Sequence, residues 1–169
     1  MLVDYLKSNA GPYDELLFIP GKFDFKGKKL DTISKIYVSS TESVVNGRAN
    51  WGIPKEQAEF NFEKLNSREE HIRVNCGGNL VAEFVISSGV LPFPVSTRLL
   101  PFLLVQLHEG KYMYTSFSGN GIGRFAKVKK LEVNSDLFPD ISLCKPIAAI
   151  RVEPFTITFP KALIEDTEV

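Results

Sequence analysis

Lys55 is the residue of this sequence whose neighbours best suit chemistry. Trp51, Ile53 and Pro54 precede it, and Phe60 follows a few residues later. A lysine amine is a nucleophile only when unprotonated, and apolar neighbours favour that form because they exclude water from the ammonium ion. Such an amine adds to a ketone and loses water, and the resulting iminium can accept an electron pair from a neighbouring bond. The alternative is a side chain that extends into solvent, as most lysines do.

Other kinds of reactive site are poorly represented. Cys76 and Cys144 do not form a CxxC spacing, so they indicate neither a disulfide framework nor a zinc site. His71 and His108 are the two histidines, and their separation argues against a metal site and against a Ser/His triad. We therefore expect chemistry without a metal ion or an organic cofactor.

The charge balance points to a small-molecule partner. Twenty basic side chains match twenty acidic ones, so no overall field would attract nucleic acid or an anionic membrane. No apolar stretch approaches the roughly 20 residues of a membrane helix, and the start MLVDYLKSNAG lacks the features of a signal peptide. We expect a cytoplasmic protein that binds neither nucleic acid nor a membrane.

The pattern along the chain is typical of a mainly β protein. Seven short runs are rich in β-branched and aromatic residues, at 15–19, 33–39, 71–75, 80–87, 112–117, 123–133 and 147–159. Turn-forming residues lie at 20–21, 76–79, 118–121 and 138–140. We expect antiparallel hairpins with one or two short helices, the first directly after Pro54 and the second within residues 95–107.

The segment over residues 36–60, IYVSSTESVVNGRANWGIPKEQAEF, is the most informative part of the sequence. We interpret it as a strand, a polar turn and a second strand, followed by Gly47-Arg48 and then Pro54-Lys55. This order resembles the acetoacetate decarboxylase family, in which a Gly-Arg pair precedes a Pro-Lys pair whose lysine forms a Schiff base.

An upstream segment adds to the resemblance. GPYDELLFIPGKF, over residues 11–23, is similar to the family's preceding strand and places Glu15 shortly after a tyrosine. The resemblance covers nearly the whole chain. It implies one acetoacetate decarboxylase-like domain over residues 1–169, with the family's antiparallel cone-like or barrel-like sheet, and it implies homo-oligomers.

The resemblance also assigns roles to particular residues. It implies that Lys55 is the nucleophile and that Glu15 lines the pocket, where it shuttles protons or positions the substrate; the alternative for Glu15 is a carboxylate on a strand edge. We expect Tyr37, Trp51 and Ile53 to supply an apolar pocket wall. The substrate implied is a small keto acid.

Arg48 and Glu56 lie close to Lys55 in the sequence. We expect the guanidinium of Arg48 to pair with Glu15 or another buried carboxylate rather than with substrate, because its forked geometry suits carboxylates. Glu56 stands where the family has a second lysine. Facing the pocket, its carboxylate would stabilise the ammonium form of Lys55; on a helical turn it would diverge from Lys55 by about 100° and point elsewhere.

The family places an arginine and a second glutamate of the pocket N-terminal to the matched region, so we expect a chain without that segment. Three functions remain open at this point. The first is a Schiff-base decarboxylase acting on acetoacetate or a larger β-keto acid. The second is a Schiff-base aldolase or dehydratase acting on a polyketide-like substrate, and the third is a non-catalytic small-molecule-binding domain.

Overall fold

The computed structural model describes residues 1–99 and 102–167, and over these residues the protein is mainly β, as predicted. The strands are β1 (Leu2–Tyr5), β2 (Tyr13–Phe18), β3 (Phe23–Phe25), β4 (Lys28–Leu30), β5 (Lys35–Val38), β6 (Lys55–Gln57), β7 (Glu59–Lys64), β8 (Glu69–Cys76), β9 (Asn79–Ser96), β10 (Leu104–His108), β11 (Lys111–Thr115), β12 (Ser118–Val133), β13 (Ala149–Thr158) and β14 (Leu163–Asp166). One α-helix, α1 (Thr41–Trp51), and one 3₁₀ turn, Thr97–Leu99, complete the described elements.

The chain divides into two compact units. The first contains Met1–Gln57, Thr97–Gly119 and Ile157–Val169, and the second contains Ala58–Ser96 and Asn120–Thr156. The second unit carries a five-stranded sheet in the order β13-β12-β9-β8-β7. The first unit carries sheets β1-β2-β5-β6, β10-β11-β14 and β3-β4. The extent of the domain stays a prediction.

The sheet β1-β2-β5-β6 provides the frame of the first unit. β2 pairs with β5 antiparallel, whereas β5 pairs with β6 parallel. Two parallel strands need a crossover connection, and α1 supplies it. Because side chains alternate between faces, Glu15 and Leu17 of β2 lie on the same face as Ile36, Val38 and Lys55.

That face of the sheet packs into the hydrophobic core of the first unit. Its buried residues come from β2, β5, β10 and the connecting segments, namely Leu17, Ile33, Ile36, Val38, Ile53 and Leu104. Each is at most 4% exposed. The core therefore supports the face from which Lys55 projects.

Helix α1 replaces the polar turn and second strand that we expected before Gly47. Its N-terminus is capped by the Ser40 hydroxyl, which accepts from the Ser43 N–H at 3.1 Å. Its C-terminus ends at Gly52, which adopts the left-handed conformation with φ 63° that glycine tolerates best. Val44 and Val45 raise the strand propensity of this segment, and the two caps and the packing of the helix override it.

Three local expectations need correction and one is confirmed. The residues after Pro54 form strand β6 rather than a helical turn. Within 95–107 the described residues form the end of β9, the short 3₁₀ turn and β10, so the expected helix is reduced to that turn; residues 100–101 lie outside the described part. The glycines of 118–121 lie inside β12 and make no hairpin. The turn at 76–79 does close a hairpin, between β8 and β9.

Within the described residues, no helix is long and apolar enough to cross a membrane.

Candidate active site

Lys55 lies at the start of β6 and is 5% exposed, so it does not extend into solvent. Its Nζ lies 2.9 Å from the Ser43 hydroxyl and 3.4 Å from Glu15 Oε2. The amine also stands over the Tyr13 ring, 5.0 Å from its centroid. A buried amine held between a carboxylate and two hydroxyl-bearing side chains has proton acceptors and donors within reach.

Glu15 is buried beside this amine, as β2 places it on the shared face. Burial raises the pKa of the Glu15 carboxyl, and the Lys55 ammonium and the Tyr13 hydroxyl oppose this rise. The carboxyl group therefore holds a proton more readily than an exposed glutamate. It is suited to donate and accept protons in the same site.

Two tyrosines and Ser43 extend the polar group. The rings of Tyr5 and Tyr13 lie 4.7 Å apart, and Lys55 Nζ lies 5.0 Å from the centroid of the Tyr13 ring. Burial and the nearby Glu15 carboxylate raise the pKa of both tyrosines. Both hydroxyls therefore remain protonated donors. Ser43 accepts a hydrogen bond from Lys55 Nζ at 2.9 Å.

Gly47 makes room for the lysine side chain. A Cβ at this position of α1 would lie 2.5 Å from Lys55 Cδ and 2.8 Å from Lys55 Cε, well inside the usual carbon–carbon contact of about 3.5–4.0 Å. The helix therefore approaches β6 closely enough for Ser43 to reach Nζ only because residue 47 has no side chain.

Arg48 has a different partner from the carboxylate we expected. Its Nε and Nη2 donate to the backbone oxygen of Lys55 at 2.9 and 2.6 Å. This fork of two hydrogen bonds joins α1 to the start of β6. Arg48 therefore fixes the backbone from which the reactive side chain projects.

Glu56 and Tyr37 lie on the opposite face of the sheet from Lys55. In the parallel register Ile36 is the partner of Lys55 and Tyr37 is the partner of Glu56, so both side chains point away. The Glu56 carboxylate accepts from Lys35 Nζ at 2.5 Å, and the same ammonium stands 4.7 Å from the Tyr37 ring. Tyr37 is thus a buried residue of the other face and not part of the pocket wall.

A cavity of about 70 Å³ opens beside the lysine. Its polar lining comes from Tyr5, Tyr13, Glu15 and Lys55. Trp51 and Ile53 line the cavity, as we expected of the pocket wall. The remaining lining residues are Met1, Leu17, Ile19, Ile33, Leu104, Phe117 and Phe159. All of these belong to the first compact unit. The described residues bring no three His, Cys, Asp or Glu side chains close enough to hold a metal ion.

Sequence reasoning did not identify Ser43, Gly47, Phe117 or Phe159 as site residues. The first two lie on a helix that we had interpreted as a turn and a strand. The cap residues Ser40 and Gly52 around an 11-residue segment were the available signal for that helix.

The comparisons with known proteins bear on the family and the fold. The family model described as Acetoacetate decarboxylase (ADC) matches residues 1–110. The crystal structure of acetoacetate decarboxylase from Legionella pneumophila is similar with a TM-score of 0.74 and 14% identity, over 97% of this chain and 71% of that one. A second acetoacetate decarboxylase structure gives a TM-score of 0.57 and 12% identity, over 92% and 69%.

A third similar structure has another biological role. The enduracididine biosynthesis enzyme MppR, complexed with pyruvate, matches with a TM-score of 0.51 and 14% identity, over 88% of this chain and 62% of that one. None of the curated proteins matches the sequence with significance. The three structures share the fold described above, and the family model covers most of the chain. The chain therefore belongs to the acetoacetate decarboxylase family.

Proposed function

We propose that this protein forms a Schiff base between Lys55 and a keto acid, and that it releases carbon dioxide from a small β-keto acid. The observation that supports the proposal best is the buried Lys55 amine at the cavity, 3.4 Å from Glu15 and 2.9 Å from Ser43. Membership of the acetoacetate decarboxylase family agrees with it. A positioned amine without a cofactor is sufficient for this chemistry.

The covalent step needs an unprotonated amine and a route for protons. Nζ of Lys55 attacks the carbonyl carbon, forming a C–N bond, and the amine proton passes to the carbonyl oxygen to give a carbinolamine. Protonation of its hydroxyl group and loss of water then leave an iminium ion. The Glu15 carboxylate contacts Nζ and can accept the proton that leaves nitrogen and return it to the departing hydroxyl, while the Ser43 hydroxyl hydrogen-bonds to Nζ and orients it.

The iminium ion then acts as the electron sink. The bond to the carboxylate carbon breaks, carbon dioxide leaves, and its electron pair moves toward nitrogen to give a neutral enamine. Glu15 in its protonated form donates to the enamine carbon, which regenerates an iminium ion for hydrolysis by water. The apolar part of the cavity favours this sequence, because charge is lost when the carboxylate becomes carbon dioxide.

Borohydride trapping with acetoacetate tests the proposal. We expect the intact protein to gain one adduct, and peptide mapping to place it on Lys55. An isopropyl group on the lysine shows that carbon dioxide left before reduction, whereas a retained carboxyl group shows a Schiff base alone. Lys35, on the opposite face of the same sheet, is the internal control and stays unmodified. An adduct spread over exposed lysines, or none with acetoacetate and larger keto acids, would contradict the proposal.

A second candidate keeps the Schiff base without loss of carbon dioxide. It is favoured by the two protonated tyrosine hydroxyls, Tyr5 and Tyr13, which can donate to an oxygen that forms or leaves in an aldol or dehydration step. The likeness to MppR, whose structure holds pyruvate, agrees with an α-keto acid at such a site. Trapped pyruvate at Lys55 together with condensation or dehydration products and no carbon dioxide from β-keto acids would favour this candidate.

The raised pKa of Glu15 predicts a pH profile. Each turnover requires Glu15 to protonate the enamine after carbon dioxide has left, and that proton is present below the pKa of Glu15, so the steady-state rate falls as the pH rises through the raised value. Glu15→Gln removes the donor, and we expect a loss of about 10²–10⁴-fold together with loss of this alkaline limb. The rate of carbon dioxide release against pH measures both effects.

A control is available on the other face of the sheet. Glu56→Gln removes a carboxylate of the same strand as Lys55 that points away from the cavity, so it should leave the rate and the alkaline limb unchanged. An alkaline limb that persists in Glu15→Gln would assign the titrating group elsewhere.

A further inference from the structure

The cavity has an aromatic wall made by rings that pack on one another. The rings of Phe117 and Phe159 are stacked with centroids 5.1 Å apart, and Phe102 stacks on Phe117 at 5.3 Å. Trp51 meets Phe159 edge to face at 5.9 Å. These contacts are separate from those of Lys55, which are with Glu15, Ser43 and Tyr13. Lys55, Glu15 and Tyr13 nevertheless line the same cavity as Trp51, Phe117 and Phe159.

A hydrogen bond holds this wall in place. Trp51 Nε1 donates to the carbonyl oxygen of Pro160 at 2.7 Å, which fixes the residue directly after Phe159. The following strand β14 pairs with β11. Phe159 is therefore held from both directions, by the indole on one side and by strand pairing on the other.

The space left by the wall is small. The cavity has about 70 Å³, roughly half of the 150 Å³ that holds a benzene molecule in an engineered protein cavity. A carbonyl carbon with a methyl or ethyl group fits this volume, and a phenyl ring does not. A larger substituent would have to displace an aromatic side chain that is already packed.

Part of the wall comes from residues outside the segment that matches the family model. Lys55, Glu15 and Trp51 lie within residues 1–110, whereas Phe117 and Phe159 lie beyond them. The size of the cavity therefore depends partly on residues outside the matched segment.

From this arrangement we infer that the site takes short-chain carbonyl compounds, with a methyl or ethyl group on the carbonyl carbon, and that Phe159 is the residue that excludes larger ones. The inference deepens the proposed function and rests on it. Phe159 acts on substrate choice by occupying space, while the Trp51–Pro160 hydrogen bond positions it.

Borohydride trapping with two β-keto acids tests this size limit. Acetoacetate carries a methyl group on its carbonyl carbon, and benzoylacetate carries a phenyl group. We expect the wild-type protein to trap acetoacetate and not benzoylacetate. Phe159→Ala should shift the ratio of the two adducts toward benzoylacetate. One methylene changes discrimination by about 10–200-fold, and this substitution removes more volume, so the shift should be at least that large. Phe125→Ala is the matched control, because Phe125 is 63% exposed and does not line the cavity.

A second measurement reads the volume without any chemistry. Benzene should raise the melting temperature of Phe159→Ala and leave those of the wild type and Phe125→Ala unchanged. Phe159→Leu, which removes less volume, gives the same direction of change if the alanine variant does not fold.

The two measurements separate the two proposals. No adduct in any variant, with benzene binding only to the Phe159 variants, would refute the Schiff-base function while supporting the size limit. Benzoylacetate trapped by the wild type as readily as acetoacetate, or benzene binding that is the same with and without Phe159, would overturn the size limit.

Discussion

Lys55→Met is expected to abolish the borohydride-dependent adduct and to reduce carbon dioxide release to the uncatalysed rate. Methionine matches the length of the lysine stem, so it fills the space beside Gly47 while removing the amine on which the covalent step depends. Mass spectrometry and carbon dioxide release measure the two effects. Lys35→Met, on the opposite face, should leave both unchanged. An adduct that persists in Lys55→Met would remove Lys55 from the mechanism.

The same variant should also change the pH dependence of stability. Burial raises the pKa of Glu15, and without the Lys55 ammonium the pKa rises further. A carboxyl group with a raised pKa in the folded state contributes stability that is fully present below its ordinary value of 4.5 and is lost as the pH rises through the folded-state value. The free energy of unfolding of Lys55→Met should therefore fall by up to about 3–5 kcal/mol, mainly at pH values above the raised pKa of Glu15.

Urea unfolding at several pH values measures this loss. Adding Glu15→Gln to Lys55→Met removes the titrating group, so the double variant should lose the added pH dependence. If the stability of Lys55→Met has the same pH dependence as that of the wild type, Lys55 and Glu15 are not coupled in the folded protein, although Nζ and Oε2 lie 3.4 Å apart.

Gly47→Ala is expected to slow adduct formation by about 10²-fold although Lys55 is still present. In an ordinary helix interior this substitution stabilises a protein by about 0.5–1 kcal/mol. Here the new Cβ would lie 2.5 Å from Lys55 Cδ, so the lysine stem must move by about 1 Å to reach an ordinary contact distance. A displacement of that size at a reacting group costs about 10²-fold in rate. Single-turnover trapping measures it.

A double-mutant cycle isolates this contact. The atoms that obstruct the new methyl group belong to one side chain, so in a Lys55→Ala background Gly47→Ala should recover its usual stabilising effect. Urea unfolding of the four proteins measures the coupling. If Gly47→Ala has the same effect on stability in both backgrounds, the close approach of α1 and β6 does not explain the glycine.

The strand content was predictable because β-branched and aromatic residues cluster between turn formers, as in the hairpin at 76–79. Helix α1 was not predicted, since Val44, Val45 and Gly47 all lower helix propensity. Much of its stability comes from the caps and from its contacts with β6, which include the hydrogen bonds of Arg48. Such tertiary contacts leave little trace in a local pattern.

The candidate active site was likewise predictable only where its residues carry a local pattern. Lys55 could be proposed from its apolar neighbours in the sequence and from the order of motifs, and Glu15 from its position after a tyrosine. The direction of Glu56 depended on whether its segment was helical or extended, and in a strand adjacent side chains alternate faces. Ser43 reaches Lys55, and Phe159 reaches the cavity, through contacts between separate segments, which no local pattern reports.

The contacts of Lys55 and those of the aromatic wall differ in the length of chain that separates the two partners. Lys55 meets Ser43 across 12 residues and Glu15 across 40, whereas the indole of Trp51 meets Pro160 across 109. Loop-closure entropy grows with the length of the intervening chain, so contacts of short sequence separation form at lower cost and earlier. During folding, the polar surroundings of the amine can therefore assemble before the aromatic wall closes over them, and the cavity reaches its final size last.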